Sequence, residues 1–261
     1  MQIKEFGKEH SKIILMIHPN CVWWEVFDYV IPVLSENYHL IIPALPGHDP
    51  ENPHCDYTSV EQIAQETEDW LLTHGYGTVE CLYGCSMGGA VVTRLAVNHR
   101  LNPRHIVIDA GMTPYQLPKW LTYLIGIRDW LVVEMGKHGS IQVLRGMFSP
   151  DKYSDEDIKY IKKVLKSISS RTIWRSFYSC NNYSMPEEIK QPACPMQYWY
   201  GEEEKKARKA DIAYMKKIFP QIQLVENPGM GHGEFFTLYP QAFCSQLTTF
   251  IEKNVIEHKG G

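Results

Sequence analysis

The chain has 261 residues, 44% of them hydrophobic and 21% charged, with a formal net charge of −4 at pH 7. That is enough apolar material for a sizeable core, in one large domain or in a core plus a lid. The mild acidity argues against an electrostatic nucleic-acid binder, which is usually basic, and no nucleic-acid partner is expected.

Residues 1–7 are short and polar and lack the apolar stretch of a secretory signal. Residues 2–7 read as a first strand. Apolar runs follow at 12–17, 38–43, 79–83, 106–109 and 196–200. Short continuous runs of this kind are strands buried on both faces of a parallel sheet. The patterns over 59–74, 87–98, 207–219 and 240–254 are helical, and 222–226 is strand-like. Such alternation gives an α/β fold with a mostly parallel sheet flanked by helices.

The alternation breaks between about 112 and 192. Only helices are read there, over 118–133, 140–148, 154–169 and 171–179. Ser154 followed by Asp155, Glu156 and Asp157 is a helix start, with a cap residue and acids in the first turn. A helical insertion between parallel strands belongs over their carboxyl ends, where open α/β sheets bind ligands. The expected organisation is a core of 1–111 and 193–255, a helical cap of 112–192, and a disordered tail of 256–261. The most apolar long run, 117–133, is interrupted by Lys119, Arg128 and Asp129. It falls short of a membrane span, and no membrane partner is expected.

Seven cysteines are scattered without a C-x-x-C pair. An odd, unclustered set fits free thiols in a reducing cytoplasm, which is the expected location. Cysteine and histidine do not cluster at ligand spacing, so no metal is expected, and no other cofactor.

Gly84-Cys85-Ser86-Met87-Gly88 is a G-x-S-x-G pattern between a strand-like and a helix-like run. In that context it reads as a nucleophile elbow. The turn is too sharp for side chains at Gly84 or Gly88, and it holds the Ser86 hydroxyl at a helix N-terminus, where developing negative charge is favoured. A serine hydroxyl needs a base, and the base an orienting acid. His232 is the candidate base, in Gly229-Met230-Gly231-His232-Gly233 between a strand and the last helix. Candidate acids are Glu202, Glu203 and Glu204 after the strand 196–200, and Asp109 at the end of 106–109. Chemistry alone leaves that choice open.

With these marks the chain resembles the α/β-hydrolase superfamily, in particular its small capped cytoplasmic members. The resemblance covers 1–111 and 193–255. It rests on His18 at a strand end, Pro46-Gly47-His48, the elbow through Gly89, Gly229-Met230-Gly231-His232, and Gly201 followed three positions later by an acid. It implies Glu204 as the triad acid, 28 residues before His232, where most relatives carry Asp. It also implies an oxyanion hole from the backbone N–H of Met87 and of Asn20. Relatives usually read His-Gly-x where this chain has His18-Pro19-Asn20, and Pro19 has no N–H to give.

The expected activity is cleavage of a small carboxylic ester, with thioesters and amides behind it, through an acyl-enzyme. The expected partner is a small molecule with an apolar acyl or aryl group, since the insertion is rich in aromatics such as Trp120, Trp130, Phe148, Trp174 and Phe177. Relatives with a similar triad and lid also cleave carbon–carbon bonds or carry out a lyase step, and a scaffold of this kind can serve as a non-catalytic small-molecule receptor.

Overall fold

The computed structural model describes residues 1–52 and 54–257. Its strands are β1 (Gln2–Phe6), β2 (Ile13–Ile17), β3 (His39–Ala44), β4 (Thr78–Val79), β5 (Cys81–Cys85), β6 (Asn102–Pro103), β7 (Ile106–Asp109), β8 (Met196–Gly201) and β9 (Gln223–Asn227). Seven of them form one sheet in the order β1-β3-β2-β5-β7-β8-β9. Only β1 runs antiparallel, against β3. The short β4 and β6 pair separately.

The core helices are α1 (Ile31–Leu34), α2 (Val60–Thr73) and α3 (Met87–Asn98). Four helices follow between β7 and β8: α4 (Lys119–His138), α5 (Ile141–Arg145), α6 (Asp155–Ser167) and α7 (Ser170–Asn182). The chain closes with α8 (Lys209–Ile218), α9 (Glu234–Leu238) and α10 (Pro240–Glu257).

Strand β2 explains the two-sided core. Its residues Ile13, Leu15 and Ile17 join one apolar cluster with α2 and α3. Ile14 and Met16 join the other, with Phe27, Leu34, Phe236 and Leu247. Side chains alternate across a strand, so an all-apolar pentapeptide feeds both faces at once.

The helices between β7 and β8 pack on one another through their own apolar contacts. Trp23 from the core enters one of these clusters, beside Val164, Ile168 and Ile173. Ser154 caps α6 by accepting the Asp157 amide, and Asp157 accepts the Ser154 amide in return. The two stalks of the insertion are tied at its base. The Tyr115 amide donates to the Asn181 carbonyl at 2.9 Å, and the Tyr183 hydroxyl to the Met112 carbonyl at 3.2 Å.

Several boundaries differ from the sequence reading. The run 79–83 splits into β4 and β5, and β5 continues through Gly84 and Cys85 because both pair with β7. Helix α4 extends to His138, beyond the expected 133. The tail expected over 256–261 begins with two residues that α10 takes in, and 258–261 lie outside the described residues. Among the described residues, no helix is long and apolar enough to cross a membrane.

Candidate active site

The parallel strands β5, β7, β8 and β9 are consecutive neighbours, so the residues that follow them emerge along one sheet edge. Ser86 follows β5, with φ 53° and ψ −113°. A positive φ at a residue with a side chain costs on the order of 1–3 kcal/mol and persists only where the surroundings impose it. Here they do. A Cβ at Gly84 would strike the Gly88 carbonyl, and a Cβ at Gly88 would strike the Ile17 carbonyl at the end of β2. The Ser86 amide donates to the Asp109 carbonyl at 2.8 Å, and its own carbonyl accepts the Ala90 amide at 3.1 Å. The hydroxyl is thereby fixed at the start of α3, and Ser86 is only 6% exposed.

Strand β8 ends in a short 3-10 turn, Glu202–Glu204. The three acids have separate partners. Glu202 accepts the Gly229 amide at 2.9 Å. Glu203 accepts the Lys152 ammonium at 2.8 Å. Glu204 is buried, and its Oε2 accepts from His232 Nδ1 at 2.7 Å. That bond places the imidazole proton on Nδ1 and leaves Nε2 free to accept. Nε2 lies 2.9 Å from Ser86 Oγ, which donates to it. The imidazole itself is 44% exposed.

Burial works to raise the Glu204 carboxyl. The His232 hydrogen bond and charge, the Gly201 amide and the Arg208 guanidinium outweigh it and hold the group below the usual carboxylate range. Asp109 stands apart from the ring: its Oδ2 accepts the Tyr83 hydroxyl at 2.7 Å. Burial pushes its carboxyl up to about 6, against the Tyr83 hydrogen bond.

Met87 opens α3, where the first amides of a helix have no carbonyl four residues back. Asn20 lies in the loop after β2. Its side-chain oxygen accepts the Cys21 amide at 2.9 Å and His48 Nε2 at 2.7 Å. His18 beneath it donates from Nδ1 to the Pro19 carbonyl at 2.8 Å and accepts the Leu45 amide on Nε2 at 3.3 Å. Burial lowers His18 to about 4, so the ring is neutral. Pro19 thus supplies a carbonyl that orients His18. Trp23 turns toward the insertion, donating to Ser167 Oγ at 3.2 Å, whereas Trp24 packs 5.9 Å from the Phe6 ring on the core.

Sequence reasoning missed Lys152, Arg208 and Tyr83, each of which touches a candidate site residue or its neighbour. No motif marks them; only the fold brings them there. A groove of about 1110 Å³ lies at the opposite end of the sheet, between the start of β8 and α10, and takes in none of Ser86, His232 and Glu204. The described residues contain no group of three or more histidine, cysteine or acidic side chains able to hold a metal ion.

Residues 14–246 match the alpha/beta hydrolase family. No curated protein sequence matches. Among solved structures, a putative alpha/beta hydrolase family protein from Desulfitobacterium hafniense is 19% identical, with 96% of this chain and 100% of that chain covered and a TM-score of 0.76. MenH from S. aureus is 18% identical, with 97% of each chain covered and a TM-score of 0.74. A thermophilic esterase from Thermogutta terrifontis is 18% identical, covering 97% of this chain and 93% of that one, with a TM-score of 0.70. At such identities these likenesses speak for the fold alone, which is a mostly parallel sheet flanked by helices. On the family match over most of its length, the chain belongs to the alpha/beta hydrolase family.

Proposed function

We propose that this chain is a serine hydrolase acting on a small carboxylic ester, with thioesters and amides as weaker candidates. The observation that carries the reading is the unbroken relay from Ser86 Oγ to His232 Nε2 at 2.9 Å and from His232 Nδ1 to Glu204 at 2.7 Å. A base in hydrogen-bond reach of the hydroxyl, itself held by a buried carboxylate, is what activates a serine. Neighbours described as an esterase from Thermogutta terrifontis and as a thioesterase domain of the curacin pathway support acyl transfer as the chemistry.

In this reading Ser86 Oγ attacks the ester carbonyl carbon while His232 Nε2 takes its proton. The oxyanion of the tetrahedral intermediate accepts the amides of Met87 and Asn20. His232 returns the proton to the leaving alcohol, and the C–O bond breaks to leave an ester on Ser86. Water then adds to that ester, its proton passing to His232. The acid is released as the proton goes back to Ser86. Glu204 keeps the ring in the Nδ1–H tautomer and offsets the charge of the transient imidazolium. Each oxyanion donor is worth about 3 kcal/mol in such reactions. The substrate we expect carries an apolar acyl or aryl group.

Intact-mass analysis after fluorophosphonate treatment tests this. Wild type should gain one adduct that Ser86→Ala lacks, after which an ester, thioester and amide panel narrows the substrate. A folded wild type that takes up no adduct would defeat the proposal. Turnover of diketones in preference to esters would redirect it to carbon–carbon bond hydrolysis.

A further inference from the structure

Lys152 lies in the turn between α5 and α6 and reaches from the insertion to both loops that carry the site. Its ammonium donates to Glu203 Oε2 at 2.8 Å, to Glu234 Oε2 at 2.7 Å and to the Gly229 carbonyl at 3.2 Å. Three acceptors match the three donors of an ammonium. Glu203 adjoins Glu204, and Gly229 and Glu234 bracket His232. Glu234 Oε2 also accepts the Gly231 amide at 2.6 Å. One side chain therefore touches the turn that holds the acid and both ends of the loop that holds the base.

Those two loops are already joined beneath it. The Glu203 amide donates to the Met230 carbonyl at 3.1 Å, and the Gly229 amide to Glu202 at 2.9 Å. The turn bearing Lys152 is fixed in its own right. Phe148 and Tyr153 meet edge-on at 5.1 Å and pack on the cluster of Leu144, Ile158 and Leu165. A lysine loses about 2 kcal/mol of rotamer freedom when it is held, so an anchored stem matters. The hydrogen bonds to Glu203 and then Glu234 raise the Lys152 ammonium above its usual range, which keeps it a cation. The side chains of Lys152 and Glu234 are 19% and 9% exposed, so water and salt screen this pair less than they do a surface pair.

We propose that Lys152 is a positioning residue that clasps the seated insertion to the acid turn and the His232 loop, holding the imidazole in line with Ser86. This rests on reading Ser86 and His232 as nucleophile and base. The activity of the serine is then coupled to the seating of the helices above it. When they lift, the loops lose their common anchor and the base drifts. A misplacement of about 1 Å at a reacting pair can cost about a hundredfold in rate.

The test uses the full chain as wild type, Lys152→Met and Lys152→Arg. Fluorophosphonate adduct formation is followed over a concentration range, and hydrogen exchange is followed in peptides spanning 201–208 and 228–235. In Lys152→Met the maximal labelling rate should fall at least about tenfold, while the half-saturating concentration changes less than about threefold. Exchange should quicken in both loops, and Lys152→Arg should recover most of the rate.

Labelling of Lys152→Met at the wild-type maximal rate overturns the clasp. So does slowed labelling with unchanged exchange in both loops. If Lys152→Met does not fold, Glu203→Ala removes one exposed arm and leaves the lysine in place. It should slow labelling about threefold, and a wild-type rate with unchanged loop exchange overturns the proposal. A wild type that forms no adduct is a failure of the hydrolase reading instead. The exchange comparison then decides the clasp alone, and equal protection in wild type and Lys152→Met overturns it.

Discussion

His48 donates from Nε2 to the side-chain oxygen of Asn20 at 2.7 Å, and that oxygen also accepts the Cys21 amide at 2.9 Å. A backbone amide can only donate, so the shared atom of Asn20 is its oxygen and the His48 proton sits on Nε2. Burial, helped by the neighbouring His18, lowers His48 to about 3, so the ring stays neutral and keeps this single polar proton. The side chain of Asn20 is thus a brace for the loop whose backbone N–H is the proposed oxyanion donor. Asn20→Ala removes the acceptor shared by the Cys21 amide and His48; His48 can move its proton to Nδ1, 3.3 Å from the Pro46 carbonyl, so the cost is about 1 kcal/mol. It should also lower kcat by roughly 10- to 1000-fold. Urea unfolding and ester kinetics check the pair. A variant that loses stability but keeps its kcat would separate Asn20 from the oxyanion loop.

Three of the four candidate acids, Glu204, Glu202 and Asp109, separate by what each side chain holds. Glu204→Gln cannot hold the imidazolium and should lower kcat by about 10⁴. Glu202→Gln keeps an oxygen for the Gly229 amide, and Asp109→Asn keeps one for the Tyr83 hydroxyl; each should stay within roughly tenfold of wild type. Steady-state kinetics on the best ester of the panel decides it. A larger loss in Asp109→Asn than in Glu204→Gln would reverse the assignment.

Asp109 also gives a pH signature in stability. Its carboxyl titrates near 3.8 when unfolded and at about 6 when folded. The folded state holds the extra proton between those values. The stabilising contribution is therefore complete below about 4 and lost as pH rises through 6. The shift corresponds to about 3 kcal/mol. Asp109→Asn does not ionise, so its stability relative to wild type should climb by up to that amount from pH 4 to pH 7. Denaturant midpoints at four pH values measure this. Glu204, held low, acts with the opposite sign below its unfolded value, and it does so in both proteins. A constant difference across the range would show that burial does not raise Asp109.

The elbow stores strain at Ser86, at φ 53°. Ser86→Gly relieves about 1–3 kcal/mol of it and returns up to about 1 kcal/mol as added freedom of the unfolded chain. The variant should melt roughly 2–4 °C higher per kcal/mol of net gain, and it should form no fluorophosphonate adduct. A thermal scan beside the mass measurement tests both halves, and an unchanged or lower melting temperature would mean that the hydroxyl contributes more to the fold than its conformation costs.

The parts legible in sequence were those with a local physical cause. Strand β2 is five apolar residues in a row, and α6 announces itself with Ser154 and three acids. The elbow was legible because glycine is the only residue that fits between β5, α3 and the end of β2. The choice among Glu202, Glu203 and Glu204 was not legible from residue chemistry, because three adjacent carboxylates look alike until each finds its partner. Lys152 and Tyr83 were invisible for a related reason: their partners lie 82 and 26 residues away, and nothing local marks them. The two adjacent tryptophans show the same limit. Trp23 and Trp24 diverge because one faces the insertion and the other the β1 edge, which no single-residue property distinguishes.

The stalks that meet at Tyr115–Asn181 and Met112–Tyr183 make residues 116–180 a loop closed at its own neck. For a flexible closed loop, doubling its length adds only about 0.6 kcal/mol of closure cost. The length of that excursion therefore costs the sheet beneath little, while Thr172, Ser179 and Lys152 tie it to Tyr57, Val60 and Gly229 of the core. The molecule is thus divided into a floor that carries Ser86, His232 and Glu204 on its strand ends and a helical roof whose length between its ties weighs little on the fold.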